Sequence, residues 1–527
     1  MDVDVTPAGV DPGDFAPCRL DRFARWIFAV ACVAAVPYYL WFGRAQWFFQ
    51  DEFAVLVNPV RSVSDLFAPH NEHLIVPARA LYAVWWEVFG LNHYLPYQLV
   101  VVVAHVVLAV LVRKVMVQAG VSHPVASAGA LVLLAFGRGS ENIVWAFQIT
   151  FTGAIAAGFL QLVLATHDGP VGRRDLMALA AGAVAVTSAG PGMVMLVAVG
   201  LCTLIRRGPR VAALHTLPLG FPLVAFFLLR SYETDGSSPA AIVAFAWRGV
   251  TETASRATAG TIVMVLLAGL VVGGLVLGAR DEGVVGFTRR CAGPIGLTAA
   301  LVVNWLLTGY SRASSQGVDF ATRPRYSHVA LALALPMVAV GVDGVVRRWR
   351  PMLLPVLALL LAGVPANLAS VSIRHNAAVP PALVLAMADS PPLEGHPRDE
   401  VIFPGVTGFR AITAGWLLDG RRDGKIPNHD IPEWAATAAF DRLAFEVRPS
   451  PRSVEGCRVQ TGPRTVVLDR GQSVAVAGLW ILRVRTPDGS RSIGPLAPQS
   501  AVSVVAMVDD LELTFTPYEA DSGSWCQ

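Results

Sequence analysis

Long apolar runs constrain this chain more than any other feature. About twenty apolar residues cross a hydrocarbon layer as a helix. The sequence offers such runs, or shorter versions of them, at 23–42, 95–112, 124–137, 145–166, 174–189, 191–205, 211–230, 258–279, 292–309, 326–345 and 351–370. They predict about eleven spans, of which the third, fifth and sixth are short. Only 15% of the residues are charged, against about 25% in soluble domains. The mean hydropathy is +0.54. The expected fold class is therefore a polytopic α-helical membrane protein in a lipid bilayer. A net charge of +3 excludes the broad basic field that nucleic acid would need.

Basic residues orient the spans. Arg19, Arg22 and Arg25 precede the first, and Arg113 with Lys114 follows the second. Arg173 and Arg174, Arg206 and Arg207, Arg289 and Arg290, and Arg347 and Arg348 mark every second connection thereafter. Residues 1–22 are then a cytoplasmic tail, and 23–370 form the multi-span domain with an exterior loop at 43–94. The run 23–42 has no small-residue cleavage site after it, so it reads as a first transmembrane helix. Lysine occurs only at Lys114 and Lys425. That arginine bias fits a GC-rich bacterial genome, and the expected location is the bacterial inner (plasma) membrane.

Beyond 370 the chain is expected outside, as an α/β region. Residues 371–450 read as mixed helix and loop. From 451 to 527 the runs "RTVVLDR", "SVAVAG", "LWILRVRT", "VSVVAMV" and "LELTFTP" alternate between turn residues, which predicts a small antiparallel β domain. Of the six cysteines, none forms a CxxC pair. Cys457 and Cys526 form a disulfide if this region faces an oxidising exterior, and are otherwise two thiols.

The polar residues of the exterior connections carry the candidate chemistry. "QDEF" sets Asp51 and Glu52 about nine residues beyond the first span. A carboxylate half-shielded from water can act as general base, whereas an ordinary solvated pair would do nothing. "PHNEHLIVP" adds His70, Glu72 and His73, followed by an amphipathic helix in "LIVPARALYAVWWEVFGL". The two histidines with a carboxylate would suit a divalent cation, but a lone HxxH is a weak signal, and hydrogen bonding to substrate is preferred. No metal ligand is assigned, and a divalent cation is the one cofactor left open. In "GRGSENIVWAFQITFTG", Glu141, Trp145, Gln148 and Thr152 recur on one face of a helix, placing Glu141 and Gln148 in a wet cavity or an interhelical contact. "FATRPRY" places Arg323 and Arg325 before a late span. Guanidinium groups there suit phosphate or lipid headgroups, and Tyr326 adds a hydroxyl. His105 reads as a satisfied core histidine.

An acidic doublet after the first span, an exterior loop with histidines and an amphipathic helix, and a cationic loop before a late span together resemble the GT-C glycosyltransferases. The resemblance covers roughly 23–370 and extends at a distance to actinobacterial cell-wall arabinosyl- and mannosyltransferases. That family often shows Asp-Asp or Asp-x-Asp where this chain has Asp51-Glu52. The resemblance implies a polyprenyl-phosphate-linked sugar donor, an envelope glycan or glycolipid acceptor, and single displacement with inversion. Asp51, or else Glu52, would be the base, and Arg323 or Arg325 the phosphate cation. Two other readings remain. A transporter or flippase of lipid-linked intermediates would favour midplane polar groups and internal repeats. A non-catalytic envelope assembly protein would need the tail and not the acids.

Overall fold

The computed structural model describes residues 19–527 apart from 72, 230–235, 377, 428–430, 450–457, 461–462, 478–479, 487–488, 497–501, 518–522 and 527. Contacts divide the chain into two units. The first comprises Met1–Gln46, Val60–Leu81 and Leu95–Arg374; the second comprises Trp47–Pro59, Tyr82–Tyr94 and His375–Gln527.

The first unit is helical. Among the described residues, nine helices are long and apolar enough to cross a membrane: Arg19–Phe42, Leu95–Gln118, Ala146–Ala165, Gly190–Arg207, Pro209–Leu228, Thr261–Arg290, Ala292–Gln316, Pro324–Arg348 and Arg350–Leu368. Two of the eleven expected spans fall short. The run 124–137 folds as His123–Leu134, 12 residues long, and the run 174–189 as Arg173–Val186, 14 residues. At about 1.5 Å per residue these reach roughly 18 and 21 Å, less than the ~30 Å hydrocarbon layer.

Each short helix has a local reason to stop. His123–Leu134 runs into the 3-10 turn Gly137–Gly139. Arg173–Val186 ends where the Thr187 and Ser188 hydroxyls donate back to the Ala183 and Val184 carbonyls at 2.7 and 2.6 Å. Asp175, at the start of the latter helix, is buried and held by Arg207 at 2.5 Å, His215 at 2.9 Å and His167 at 3.3 Å. A buried carboxylate needs such partners.

Small residues let helices cross closely. A Cβ on Gly274 would lie 1.7 Å from the Gly341 carbonyl oxygen, and one on Gly344 would lie 2.4 Å from that of Gly274. Thr261–Arg290 and Pro324–Arg348 therefore touch backbone to backbone. Helix Pro324–Arg348 is buried over most of its length, which makes it the axis of the bundle core.

In the second unit the helices Pro381–Asp389, Ala414–Arg422 and Glu433–Ala444 precede nine strands among the described residues. These are β1 Phe445–Pro449, β2 Arg458–Gln460, β3 Arg464–Leu468, β4 Ser473–Ala477, β5 Trp480–Thr486, β6 Gly489–Leu496, β7 Val502–Ala506, β8 Leu511–Pro517 and β9 Gly523–Cys526. They pair antiparallel in two sheets, ordered β1-β7-β4-β9-β2 and β3-β8-β5-β6. Val474, Val476 and Val504 of one sheet meet Leu468, Trp480, Leu482, Leu513 and Phe515 of the other in a single apolar core. The five alternating runs are β3, β4, β5, β7 and β8. The pairing begins earlier than 451, because β1 follows the last helix directly and pairs with β7.

Trp480 is wholly buried and donates from Nε1 to the Ala477 carbonyl at 2.9 Å. It belongs to the sandwich core. Cys457, half of the candidate disulfide, lies outside the described residues, while Cys32, Cys202 and Cys291 are free thiols.

Candidate functional site: two acidic centres

Asp51 and Glu52 open the short helix Asp51–Leu56 in the second unit. The two acids are not equivalent. Glu52 has no exposed surface. Its Oε1 accepts from the Tyr82 hydroxyl at 2.6 Å and the Tyr94 hydroxyl at 3.2 Å, and its Oε2 accepts from the Phe49 amide at 2.7 Å. Three donors satisfy a buried carboxylate. Glu52 therefore ties the start of the helix to the segment 82–94. Asp51, its neighbour, stays half-buried and within reach of solvent.

The backbone before this pair is unusual. Gln50 has φ 43° and ψ −105°, a left-handed conformation that a side chain rarely adopts. Against it packs Gly408, whose φ is +84° and whose Cβ would lie 2.5 Å from the Gln50 Cα. Below, the Phe53 ring lies 4.9 Å from Phe409 and 5.8 Å from Trp47. The turn that presents Asp51 rests on packed aromatics.

The segment 60–81 belongs to the first unit. Ser62 and Asp65 form a capping box, and Asp65 Oδ2 accepts from the Arg61 and Ser62 amides at 2.8 and 2.7 Å. Those hydrogen bonds, that of the Arg61 amide foremost, hold the Asp65 carboxyl below its ordinary range. His70 and His73 pair through their backbones across a tight turn, with Asn71 at φ 44° between them. The His70 ring packs edge-on against Phe147 at 5.4 Å. Glu72 lies outside the described residues. Among the described residues, no group of three or more His, Cys, Asp and Glu could hold a metal ion.

The second acidic centre is Glu141 in the first unit. It is 5% exposed. Its Oε1 lies 3.2 Å from Arg325 Nη1 and its Oε2 3.1 Å from Arg374 Nη2. Two cations meet one anion, so the trio carries one positive charge in excess. The arginines keep 25% and 33% of their side-chain surfaces exposed. The Arg325 guanidinium also lies over Phe320 at 5.5 Å and Tyr326 at 5.3 Å. Those rings fix its plane. Arg323 is exposed and stacks over Phe320 at 5.2 Å, outside the trio.

The helical stripe expected for Glu141, Gln148 and Thr152 does not exist. The segment breaks into the turn Glu141–Val144, the 3-10 turn Ala146–Gln148 and the helix Ile149–Ala165, with Trp145 extended at φ −86° and ψ 113°. Side chains satisfy the carbonyls freed by the break. Thr152 Oγ1 donates to the Asn142 carbonyl at 2.6 Å, and Gln98 Nε2 to that of Val144 at 2.8 Å. Gln148 is buried in this irregular segment. Gly137 and Gly139 are required here, because Cβ atoms would lie 2.0 Å from the Asn367 carbonyl oxygen and 3.0 Å from His328 Cβ.

Arg325, Tyr326 and Glu141 thus come together, joined by Arg374, Asn142 and His328, which the sequence reading did not select. Asn142 Nδ2 donates to the Arg325 carbonyl at 3.0 Å. Arg374 was hidden because it lies just past the last apolar run, in "SIRHN", where a lone arginine reads as a solvated residue. Its amide donates to Gln46 Oε1 at 2.6 Å, and that ordered backbone carries it to Glu141. No model of a known protein family, no curated protein and no solved structure matches this chain.

Proposed function

We propose that this chain is a membrane glycosyltransferase that moves a sugar from a polyprenyl phosphate to an envelope glycan or glycolipid at the outer face of the bacterial inner membrane. The observation that carries the reading is the Arg325–Glu141–Arg374 trio. A buried carboxylate gathers two partly exposed guanidinium groups, and paired guanidinium groups suit a phosphate. One excess positive charge suits a phosphodiester that becomes a monoester dianion as its sugar departs.

The reaction needs little else. Asp51 takes the proton of the acceptor hydroxyl as its oxygen forms the new bond to the anomeric carbon. The bond from that carbon to the phosphate oxygen breaks on the opposite side. Its electron pair leaves with polyprenyl phosphate, whose new charge the arginines stabilise. The anomeric configuration inverts. Glu52 takes no proton, because its oxygens are engaged by Tyr82, Tyr94 and the Phe49 amide; it holds Asp51 in place.

The test is genetic and chemical. Cells lacking the chain are complemented at equal expression with wild type, Asp51→Asn or Arg325→Ala, and their envelope linkages and polyprenyl-phospho-sugar pools are measured by mass spectrometry. Loss of one sugar linkage, restored by wild type alone with the donor accumulating otherwise, is the expected result. Full restoration by both variants sinks the reading.

A further inference from the structure

Helix Pro239–Ala257, in the first unit, is built the wrong way round for water. Its 19 residues reach about 28 Å, yet it is not one of the nine apolar spans, because Arg248, Glu252 and Arg256 recur on one face. Those charges are engaged on the protein side. Arg256 Nε lies 2.9 Å from Glu252 Oε1, and Arg248 Nε 3.1 Å from Asp319 Oδ1. Arg256 Nη1 also donates to Ser327 Oγ at 3.3 Å, and the Arg256 carbonyl accepts from Asn367 Nδ2 at 2.8 Å. Next to this ladder come the buried positions Phe245, Gly249 and Thr253. The Phe245 ring lies 6.1 Å from that of Trp305, and a Cβ on Gly249 would lie 2.2 Å from the same indole. The helix is thus fixed against the span Ala292–Gln316. The outward stripe is Val243, Trp247 and Val250, at i, i+4 and i+7, with 63%, 71% and 43% of their surfaces exposed. A helix in water turns its apolar stripe to the core and its charges outward. This helix does the reverse.

We propose that Pro239–Ala257 is an interfacial helix whose Val243, Trp247 and Val250 insert among the acyl chains of the bilayer. Its neighbours select that partner. Residues 258–260 alone join it to the span Thr261–Arg290, whose Ile262, Val265 and Leu266 are exposed, and it packs on a span whose Leu306 and Leu307 are exposed. Outward apolar side chains on helices long enough to cross a bilayer meet lipid, and the stripe stands beside both. Tryptophan suits the boundary, because its ring is apolar and its N–H reaches headgroup oxygens. The charged face meets Pro324–Arg348 at Ser327, two residues from Arg325. Lipid is thereby brought to the end of that helix from which the arginine trio starts. Lipid contact at the stripe is independent of the chemistry that the trio performs.

The test uses the unmodified full chain in nanodiscs of phosphatidylcholine that carries a diazirine on one acyl chain. After illumination, lipid adducts are located by peptide mass spectrometry. Adducts are expected on Val243, Trp247 or Val250 at least about tenfold more often than on Asp319, an exposed residue of the turn Val318–Thr322 that bonds to Arg248. Adducts on Ile262 and Val265 of the adjoining span serve as the internal reference. Labelling of that span with the stripe as bare as Asp319 overturns the proposal. A bare stripe together with a dimer in native mass spectrometry also overturns it, and assigns the face to a second copy of the chain. Absence of adducts from both the stripe and the span overturns it along with the membrane setting of this end of the bundle.

Discussion

At the scale of the residue, the two neighbouring acids are predicted to behave differently. Glu52→Ala removes the acceptor for two phenols and an amide in a site without exposed surface. It should destabilise the second unit by about 3 kcal/mol or more, read as an earlier thermal transition and faster proteolysis. Asp51→Asn keeps the fold, because Asp51 is half-buried and its amide analogue is the same size, and it abolishes transfer. Equal thermal losses in the two variants would contradict this division. In the trio, Arg325→Lys keeps the charge and loses the planar fork that reaches Glu141 and stacks on Tyr326. Transfer should fall at least about tenfold with the protein still folded, measured by turnover of labelled donor. The sequence showed Asp51, Glu141 and Arg325 as polar residues in an apolar chain. It could not show which acid is tied up, because Tyr82 and Tyr94 reach Glu52 from 30 and 42 residues away.

At the scale of the element, apolar runs were legible and their lengths less so. Nine runs became helices of 18 residues or more, since hydrophobic length alone decides that outcome. The two that fell short were cut by local chemistry: the glycine-bearing turn at 137–139 and the back-bonding hydroxyls of Thr187 and Ser188. The stripe through Glu141 and Gln148 failed for a related reason. Periodicity assumes a continuous helix, and Trp145 interrupts it. Alternation identified β3, β4, β5, β7 and β8, because each has one face in the sandwich core. The strands β2, β6 and β9 carry little apolar alternation, which is why they were missed. The close crossing of Thr261–Arg290 with Pro324–Arg348 gives an element-scale prediction. Gly274→Val would drive a side chain into the Gly341 carbonyl. It should lower stability by about 3 kcal/mol or more, seen as an earlier unfolding transition in detergent.

At the scale of the whole molecule, one unit is helical and holds the arginine trio, and a second unit carries Asp51 and ends in a β-sandwich. Within the second unit, Glu400 links the segment before the last helices to the sandwich. Burial pushes its carboxyl up, but hydrogen bonds and charge from His396 and Arg470 outweigh this and leave it below the ordinary glutamate range. A carboxyl lowered on folding stabilises the native state above its unfolded pKa, near 4.3, and that contribution is lost as pH falls through the folded value. The thermal transition of the second unit should therefore drop below about pH 4, and Glu400→Gln should flatten that dependence. An unchanged acid limb in Glu400→Gln would remove the carboxyl from the account.

Purified chain in nanodiscs shows whether a sugar passes from polyprenyl phosphate to a glycan. A short-chain polyprenyl-phospho-sugar panel, labelled in the sugar, is incubated with an envelope glycan extract, and release of free polyprenyl phosphate is followed alongside label in the glycan. Stoichiometric release and incorporation are expected for at least one donor, with inversion at the anomeric carbon, and neither product with Asp51→Asn or Arg325→Ala. Label transferred equally well by both variants, or label carried across the bilayer with the sugar–phosphate bond intact, would contradict the transferase reading.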